Sequence, residues 1–412
     1  MFVKSSANQQ PIIDNVFSTV ALCKQDIALN GNDNVINGTI GSLYDESGKL
    51  VAYDSFFNHY QQLTHQQYAA YAAGFAGNPD FNVAMKQWVV EDRINECIIT
   101  PIATVGGSGA ISITFSSMLD AGQSILLPQL AWESYALMAQ QNQFNIIEYQ
   151  NFDGDHFNCS DLLTKAKQIM LEQHRLLVVI NDPAHNPSGY SLTDSEWKTI
   201  MDGLNALSKD GPVCLLNDIA YIDYCFNQPN HKNYMRYFNQ MADENMAVII
   251  ASSISKTATS YGLRLGCALI VTKNQQINDE LSLSFRKYCR TNWSNPNNSA
   301  MINFTWLVNH NQQAFLDEKQ KAIDLLKQRA TTFMQLAKQY HIETYPFTEG
   351  FFVTLKCTDN DKRDQLFDAL VKKHVYICKV NYGLRVALCS ITLPTIEKLV
   401  ATIAETTVEL NT

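Results

Sequence analysis

The sequence predicts an α/β protein: a large domain built on a mainly parallel, mixed sheet sandwiched by helices, and a smaller α+β domain. Three observations predict it. Short continuous apolar runs recur at 124–127, 145–149, 176–180, 213–216, 247–251 and 267–271. Most alternate with stretches of helical pattern at 132–141, 159–174 and 193–208. Strands apolar on both faces need cover on both faces, which the helices of a parallel sheet supply. Near residue 313 the composition shifts to a long charged helix followed by short strands.

Taken in order, residues 1–45 read as an N-terminal arm and a short irregular segment that packs with the small domain. The Asn- and Gly-rich stretch 30–41 is a loop, and Asp45-Glu46-Ser47-Gly48-Lys49 is a turn between two short strands. The large domain is expected over 46–312. A Gly77-Asn78-Pro79 break precedes a helix carrying Val83, Met85 and Trp88. The turn Thr104-Val105-Gly106-Gly107-Ser108-Gly109-Ala110 then opens a helix over 111–119. Glycines before a helix let backbone amides approach an anion, and the helix dipole favours one there. The spacing is neither a P-loop nor the dinucleotide fingerprint, and a plain tight turn would look the same. Thr193-Asp194-Ser195-Glu196 is a capping box. The small domain, 313–412, is read as helices over 314–340, 361–373 and 394–405, with strands at 344–346, 351–356, 375–379 and 384–388.

Composition narrows the class. Hydrophobic residues make up 46% and charged residues 17% of 412, which suits a globular protein of more than one lobe. A net charge of -9 without a basic stripe argues against nucleic-acid and membrane-surface partners. The 10 cysteines lack CxxC or metal-ligand spacing and read as free thiols of a reducing compartment. No apolar run is long enough to span a bilayer, and the expected location is the cytoplasm.

In sheets of this kind ligands bind beyond the carboxyl ends of the strands, and polar residues collect there. Trp132 and Tyr135 follow one strand; Asn181, Asp182, His185 and Asn186 follow another. Asn217, Asp218 and Tyr221 end a third; Ser252, Ser253, Ser255 and Lys256 end a fourth, with Arg264 shortly after. A lysine desolvated at a strand end has a lowered pKa and can attack a carbonyl, the start of Schiff-base chemistry. The serines and Arg264 can hold an anion beside it, a phosphate above all. Singly, each is also a strand-end cap or a loop lysine. Together they suit a phosphorylated pyridine aldehyde.

At these residues the chain resembles the fold-type-I pyridoxal-phosphate aminotransferases, most closely the aspartate and aromatic amino acid subgroup. The resemblance runs through GGSGA at Gly106, Trp132, HNPSG at His185, NDIAY at Asn217 and SSISK ending at Lys256. It continues through Arg264, RTNWSNP at Arg290 and YGLRVA around Arg385. It implies pyridoxal 5'-phosphate held covalently by Lys256, which also shuttles a proton at the substrate α-carbon. It implies that Asp218 pairs with the ring nitrogen, that Tyr221 and Asn186 bond the phenolic oxygen and that Trp132 stacks on the ring. Gly107, Ser108, Ser253 and Arg264 would hold the phosphate, with Tyr71 (or the nearby Tyr68) reaching it from a neighbouring subunit.

For the substrate, the resemblance implies that Arg385 clamps the α-carboxylate and Gly41 marks a closing segment. Arg290 would meet a distal carboxylate across a homodimer. The apolar flanks of Arg385 independently predict a buried arginine with an ionic partner. The chain departs from the pattern at Tyr135, where the aspartate enzymes usually carry histidine, and at Asn297, usually a second proline. The implied reaction moves an amino group between an L-amino acid (aspartate or glutamate, aromatic, or both) and a 2-oxo acid. The alternative is another enzyme of the same fold, a C–S β-lyase or an aminocyclopropane-carboxylate-synthase type. A transcription regulator with such a domain is disfavoured by the complete catalytic set.

Overall fold

The structure is a computed structural model that describes residues 2–3, 12, 14–227, 230–242 and 244–411. Most of the leading segment 1–13 therefore lies outside the described residues.

The chain enters through helix α1, Asn15–Asn30, where the sequence suggests only an arm and an irregular segment. Asp14 caps it by accepting from the amide of Phe17. Its buried residues are Thr19, Cys23 and Asp26, spaced along one face but mostly polar, so the apolar stripe that marks a helix is missing. Strand β1, Ile36–Gly38, follows inside the Asn- and Gly-rich stretch, and Tyr44 and Leu50 bridge around the expected turn.

Helices α2 (Asp54–Tyr60), α3 (His65–Ala69) and α4 (Pro79–Val90) lead to β2, Ile98–Thr104. The apolar-run reading misses β2 because Pro101 interrupts it. It lies at the edge of the sheet, where a proline is tolerated. Then come α5 (Gly106–Met118), β3 (Ser124–Pro128), α6 (Ser134–Gln141) and β4 (Asn145–Tyr149). A short ribbon of β5 (Phe152–Asp153) and β6 (His156–Phe157) precedes α7 (Cys159–Gln173), β7 (Leu176–Asn181), α8 (Asp194–Leu207) and β8 (Val213–Asp218). Strand β9 (Met246–Ser253), the single turn α9 (Ile254–Thr257) and β10 (Gly266–Thr272) complete the large sheet.

That sheet has seven strands in the order β2-β10-β9-β8-β7-β3-β4. The neighbours from β9 to β4 pair in parallel, while β10 runs antiparallel to both β2 and β9. Every residue of β7, β8 and β9 is buried, as continuous apolar strands under two helical layers require. Leu126, Val178, Leu215 and Val248 pack into one face cluster; Leu127, Val179, Leu216 and Ile249 pack into the other.

After α10 (Gln275–Asn292), α11 (Asn298–His310) and α12 (Gln312–Gln339), a second sheet of four strands forms. It comprises β11 (Phe352–Lys356), β12 (Val375–Val380) and β13 (Gly383–Ala387), with α13 (Asn360–Lys372) and α14 (Leu393–Asn411) packed on it. Its order is β1-β12-β13-β11, so the N-terminal segment contributes an edge strand, with Ile36 opposite Val375. Residues 344–346, read as a strand, make only an isolated bridge between Thr344 and Leu355. No helix among the described residues is long and apolar enough to cross a membrane.

Candidate active site

Parallel pairing aligns the strand ends, and with them the polar residues. Asn181 stands opposite Asp218 across β7 and β8, and Asp218 opposite Ala251 across β8 and β9. Two residues past Ala251 the chain leaves β9 and turns through α9, which presents Lys256. The turn is held from behind. Tyr224 donates its hydroxyl proton to the Lys256 carbonyl at 3.0 Å, and Thr257 donates to Asp223 at 2.6 Å.

Lys256 lines two cavities of about 390 and 210 Å³ that share several lining residues. Its amine donates to the Gly41 carbonyl at 2.6 Å and lies near the rings of Tyr221 and Tyr261, 5.3 and 4.9 Å from their centroids. Burial, reinforced by the charges of Arg385 and Arg264, lowers its pKa from 10.5 to about 8. That gives a sizeable neutral, nucleophilic fraction near neutrality.

The larger cavity is lined at one end by Gly107, Ser108, Ser253, Ser255 and Arg264. Helix α5 begins at Gly106, earlier than the expected 111, so its first-turn amides belong to this end. Gly106 has φ +73°, and a Cβ there would sit 2.3 Å from Arg264 Nη2, so glycine is required for the guanidinium to approach the turn. Arg264 Nη1 donates to Ser255 Oγ at 2.8 Å and to the Tyr261 carbonyl at 3.0 Å. Amides, hydroxyls and a guanidinium with no carboxylate among them form an anion cradle.

Asp218 lines the same cavity and is itself buried. It accepts from the Tyr135 hydroxyl at 2.5 Å and from the Ala220 amide at 3.0 Å. Burial raises its pKa to about 6 in spite of those two donors. Trp132, Asn186 and Tyr221 line both cavities, and Asn186 faces the Tyr221 hydroxyl.

Arg385, on β13, lines the smaller cavity with Gly41. It is 5% exposed, yet the ionic partner expected for it is not found among the described residues. It donates to the Thr39 carbonyl at 2.9 Å, Asn186 Oδ1 at 3.2 Å and the Cys378 sulfur at 3.6 Å, lies 4.4 Å from the Phe352 ring centroid, and its Nε has no hydrogen-bond partner. A buried guanidinium with an unused donor and no countercharge is held ready for an anionic ligand.

Two expected residues lie elsewhere on this chain. Tyr71 is 86% exposed and Arg290 is exposed on α10, bonded to Ser294 and 5.3 Å from the Phe75 ring centroid. Tyr68 donates its hydroxyl to the Tyr60 carbonyl, which leaves Tyr71 the freer phenol of the pair. The sequence reading also missed residues that line the site. Phe17, at the start of α1, reaches both cavities, and beside it Asn15 donates its amide to Glu133 at 3.0 Å. Tyr261 accepts from the Leu43 amide at 2.9 Å, tying the site to the segment after Gly41. Only the Asp14 cap could have pointed to α1; an aromatic like Tyr261 carries no local signal.

A cavity of about 770 Å³ lies apart, lined by Trp88, Lys232 and Lys319. Its buried charges are already matched, Lys319 to Asp223 and Lys232 to Glu91, both at 2.9 Å. Chemistry is better supported where the charges are unmatched.

Fold and site thus define an α/β protein in which a nucleophilic lysine, an anion cradle and a buried carboxylate line one cavity. Comparison with known proteins places it further. The chain belongs to the family of class I and II aminotransferases, whose model matches residues 34–403. That family is pyridoxal-phosphate dependent. An aspartate aminotransferase of Pseudomonas aeruginosa is 28% identical over 47% of this chain and 47% of its own length. A tyrosine aminotransferase of Klebsiella pneumoniae is 22% identical over 77% of this chain and 82% of its own. The chain thus matches about half the length of the first of these curated relatives. The crystal structure of an aminotransferase from Anaerococcus prevotii superposes with a TM-score of 0.91 at 27% identity, covering 98% of this chain and 99% of that one.

Proposed function

We propose that the protein is a pyridoxal-phosphate-dependent aminotransferase that moves an amino group between an L-amino acid and a 2-oxo acid. The observation that carries this is the pairing of Lys256 with Arg385. The depressed amine and the buried guanidinium without a countercharge open on the same space.

The residues present fit the cofactor. Gly107, Ser108, Ser253 and Arg264 would hold its phosphate, Lys256 would hold it covalently through Nζ, Asp218 would pair with its ring nitrogen and Trp132 would cover the ring. Tyr221 and Asn186 would bond its phenolic oxygen. When bound, it supplies an electron-poor pyridine ring that accepts the electrons left at the substrate α-carbon. Arg385 clamps the α-carboxylate, its planar fork fixing which bond at the α-carbon faces Lys256. Lys256 Nζ then takes and returns the α-proton, a base whose pKa near 8 suits neutral conditions. The segment at Gly41 and Phe17 of α1 line the space beside Arg385 and would close over a bound substrate.

We further propose a division into 1–45 with the small domain, 46–312 and 313–412, a cytoplasmic location and a homodimer. Supporting the homodimer, Arg290 stacks on the exposed Phe75, Tyr71 is exposed as well, and none of the three lines the cavities of its own chain. In a dimer Tyr71 would reach a phosphate and Arg290 the distal carboxylate of aspartate or glutamate. A half-reaction screen tests the function. Cofactor-loaded protein is mixed with single amino acids and the cofactor spectrum followed. Conversion with at least one L-amino acid, reversed by a 2-oxo acid, is expected; elimination products without amino transfer would refute it.

A further inference from the structure

Tyr135 stands where the aspartate enzymes usually carry histidine. Its ring is fully buried on α6, edge-on to Trp132 with centroids 5.5 Å apart, and its hydroxyl donates to Asp218 Oδ2 at 2.5 Å. One side chain thus touches both the indole and the carboxylate that line the cavity. The contact spans 83 positions of sequence and joins the start of α6 to the end of β8.

We propose that Tyr135 is a positioning residue that lowers the basicity of Asp218, so that a proton shared between Asp218 and the cofactor's ring nitrogen stays on the nitrogen. The inference rests on the cofactor reading above. A carboxylate oxygen that already accepts a short hydrogen bond has less electron density to offer a second proton. Around Asp218 the polar groups are few. Its Oδ1 takes the Ala220 amide, and its own charge acts on the nearby phenols of Tyr135 and Tyr221. Burial, together with the negative charge of Asp218, pushes the Tyr135 phenol far above its ordinary range. It therefore remains a donor throughout the working pH range, whereas an imidazole could change its protonation. With Tyr135 removed as a donor, burial acts on Asp218 opposed only by the Ala220 amide. The carboxylate becomes the stronger base, the shared proton moves towards it, and the ring loses part of its pull on electrons.

The test uses holoenzyme loaded with pyridoxal phosphate labelled with ¹⁵N in the ring, comparing wild type, Tyr135→Phe and Tyr135→His. The ring-nitrogen chemical shift is followed against pH, together with kcat. Tyr135→Phe keeps the contact with Trp132 and removes only the hydroxyl. It is expected to move the ring-nitrogen profile towards the unprotonated value and to lower kcat about tenfold, a change on the scale of one charge-assisted hydrogen bond. Tyr135→His, which restores an N–H donor, is expected to recover most of the chemical shift. A Tyr135→Phe profile superimposed on the wild type overturns the proposal. Equal displacement in Phe and His variants overturns it too, because a lost donor would not explain both. Wild-type protein that takes up no cofactor refutes the cofactor site itself, and this proposal with it.

Discussion

Replacing Lys256 with methionine in the cofactor-free protein isolates the cost of keeping an amine at the centre of the site. The folded pKa of about 8 against 10.5 means that folding disfavours the charged form. At 1.36 kcal/mol per tenfold change in proton affinity, that penalty is roughly 3 kcal/mol at pH 7. Between pH 8 and 10.5 the unfolded chain binds more protons than the folded one, so stability rises with pH. The penalty is fully present below pH 8 and falls to roughly 1 kcal/mol by pH 10. Water in the cavities screens part of it, and Lys256→Met also forfeits the bond to the Gly41 carbonyl. The difference between wild type and variant is therefore most informative as a function of pH, where the other titrations cancel. Urea unfolding of both proteins from pH 7 to 10, followed by two probes, is expected to show the wild type gaining about 2 kcal/mol relative to Lys256→Met. A difference that stays flat would mean a solvated lysine with an ordinary pKa, and would remove the physical basis for its reactivity.

Other consequences can be checked directly. Borohydride reduction of the loaded protein, followed by peptide mapping, is expected to label Lys256; label on another lysine would contradict the assignment. Asp218→Asn is expected to lower kcat/KM by about 10²–10³-fold, the scale of removing one electrostatic stabiliser. Its cofactor-free form should melt no lower than wild type at pH 7, because a buried carboxylate with a pKa raised to about 6 is itself a burden above that pH. Near-normal turnover would reduce Asp218 to a strand-end cap. Arg290→Leu is expected to lose about 2–5 kcal/mol of transition-state binding for aspartate and little for phenylalanine. An equal loss for both donors would place Arg290 in the structure rather than in the substrate pocket.

Much of the fold and site was legible in the sequence because it is written locally. Uninterrupted apolar runs at 176–180, 213–216 and 247–251, set between helical patterns, read as strands covered on both sides, and they grew by one to three residues in the structure, ending at Asn181, Asp218 and Ser253. Their polar continuations, ending in Asp218 and Lys256, name the ingredients of the site. Where local pattern is weak, the reading failed. Helix α1 hides behind a polar buried face, and β2 behind Pro101. What only the tertiary structure decided is which ingredients meet. Arg385 looked like one half of a buried ion pair, yet the register of β13 against β12 sets it beside Cys378, facing carbonyl and amide oxygens but no acid. Tyr135 read as one more rim residue until strand order brought α6 over the end of β8. Periodicity reports which face of an element is buried. Strand order and register decide what that face is buried against, and so which charges are left unmatched for chemistry.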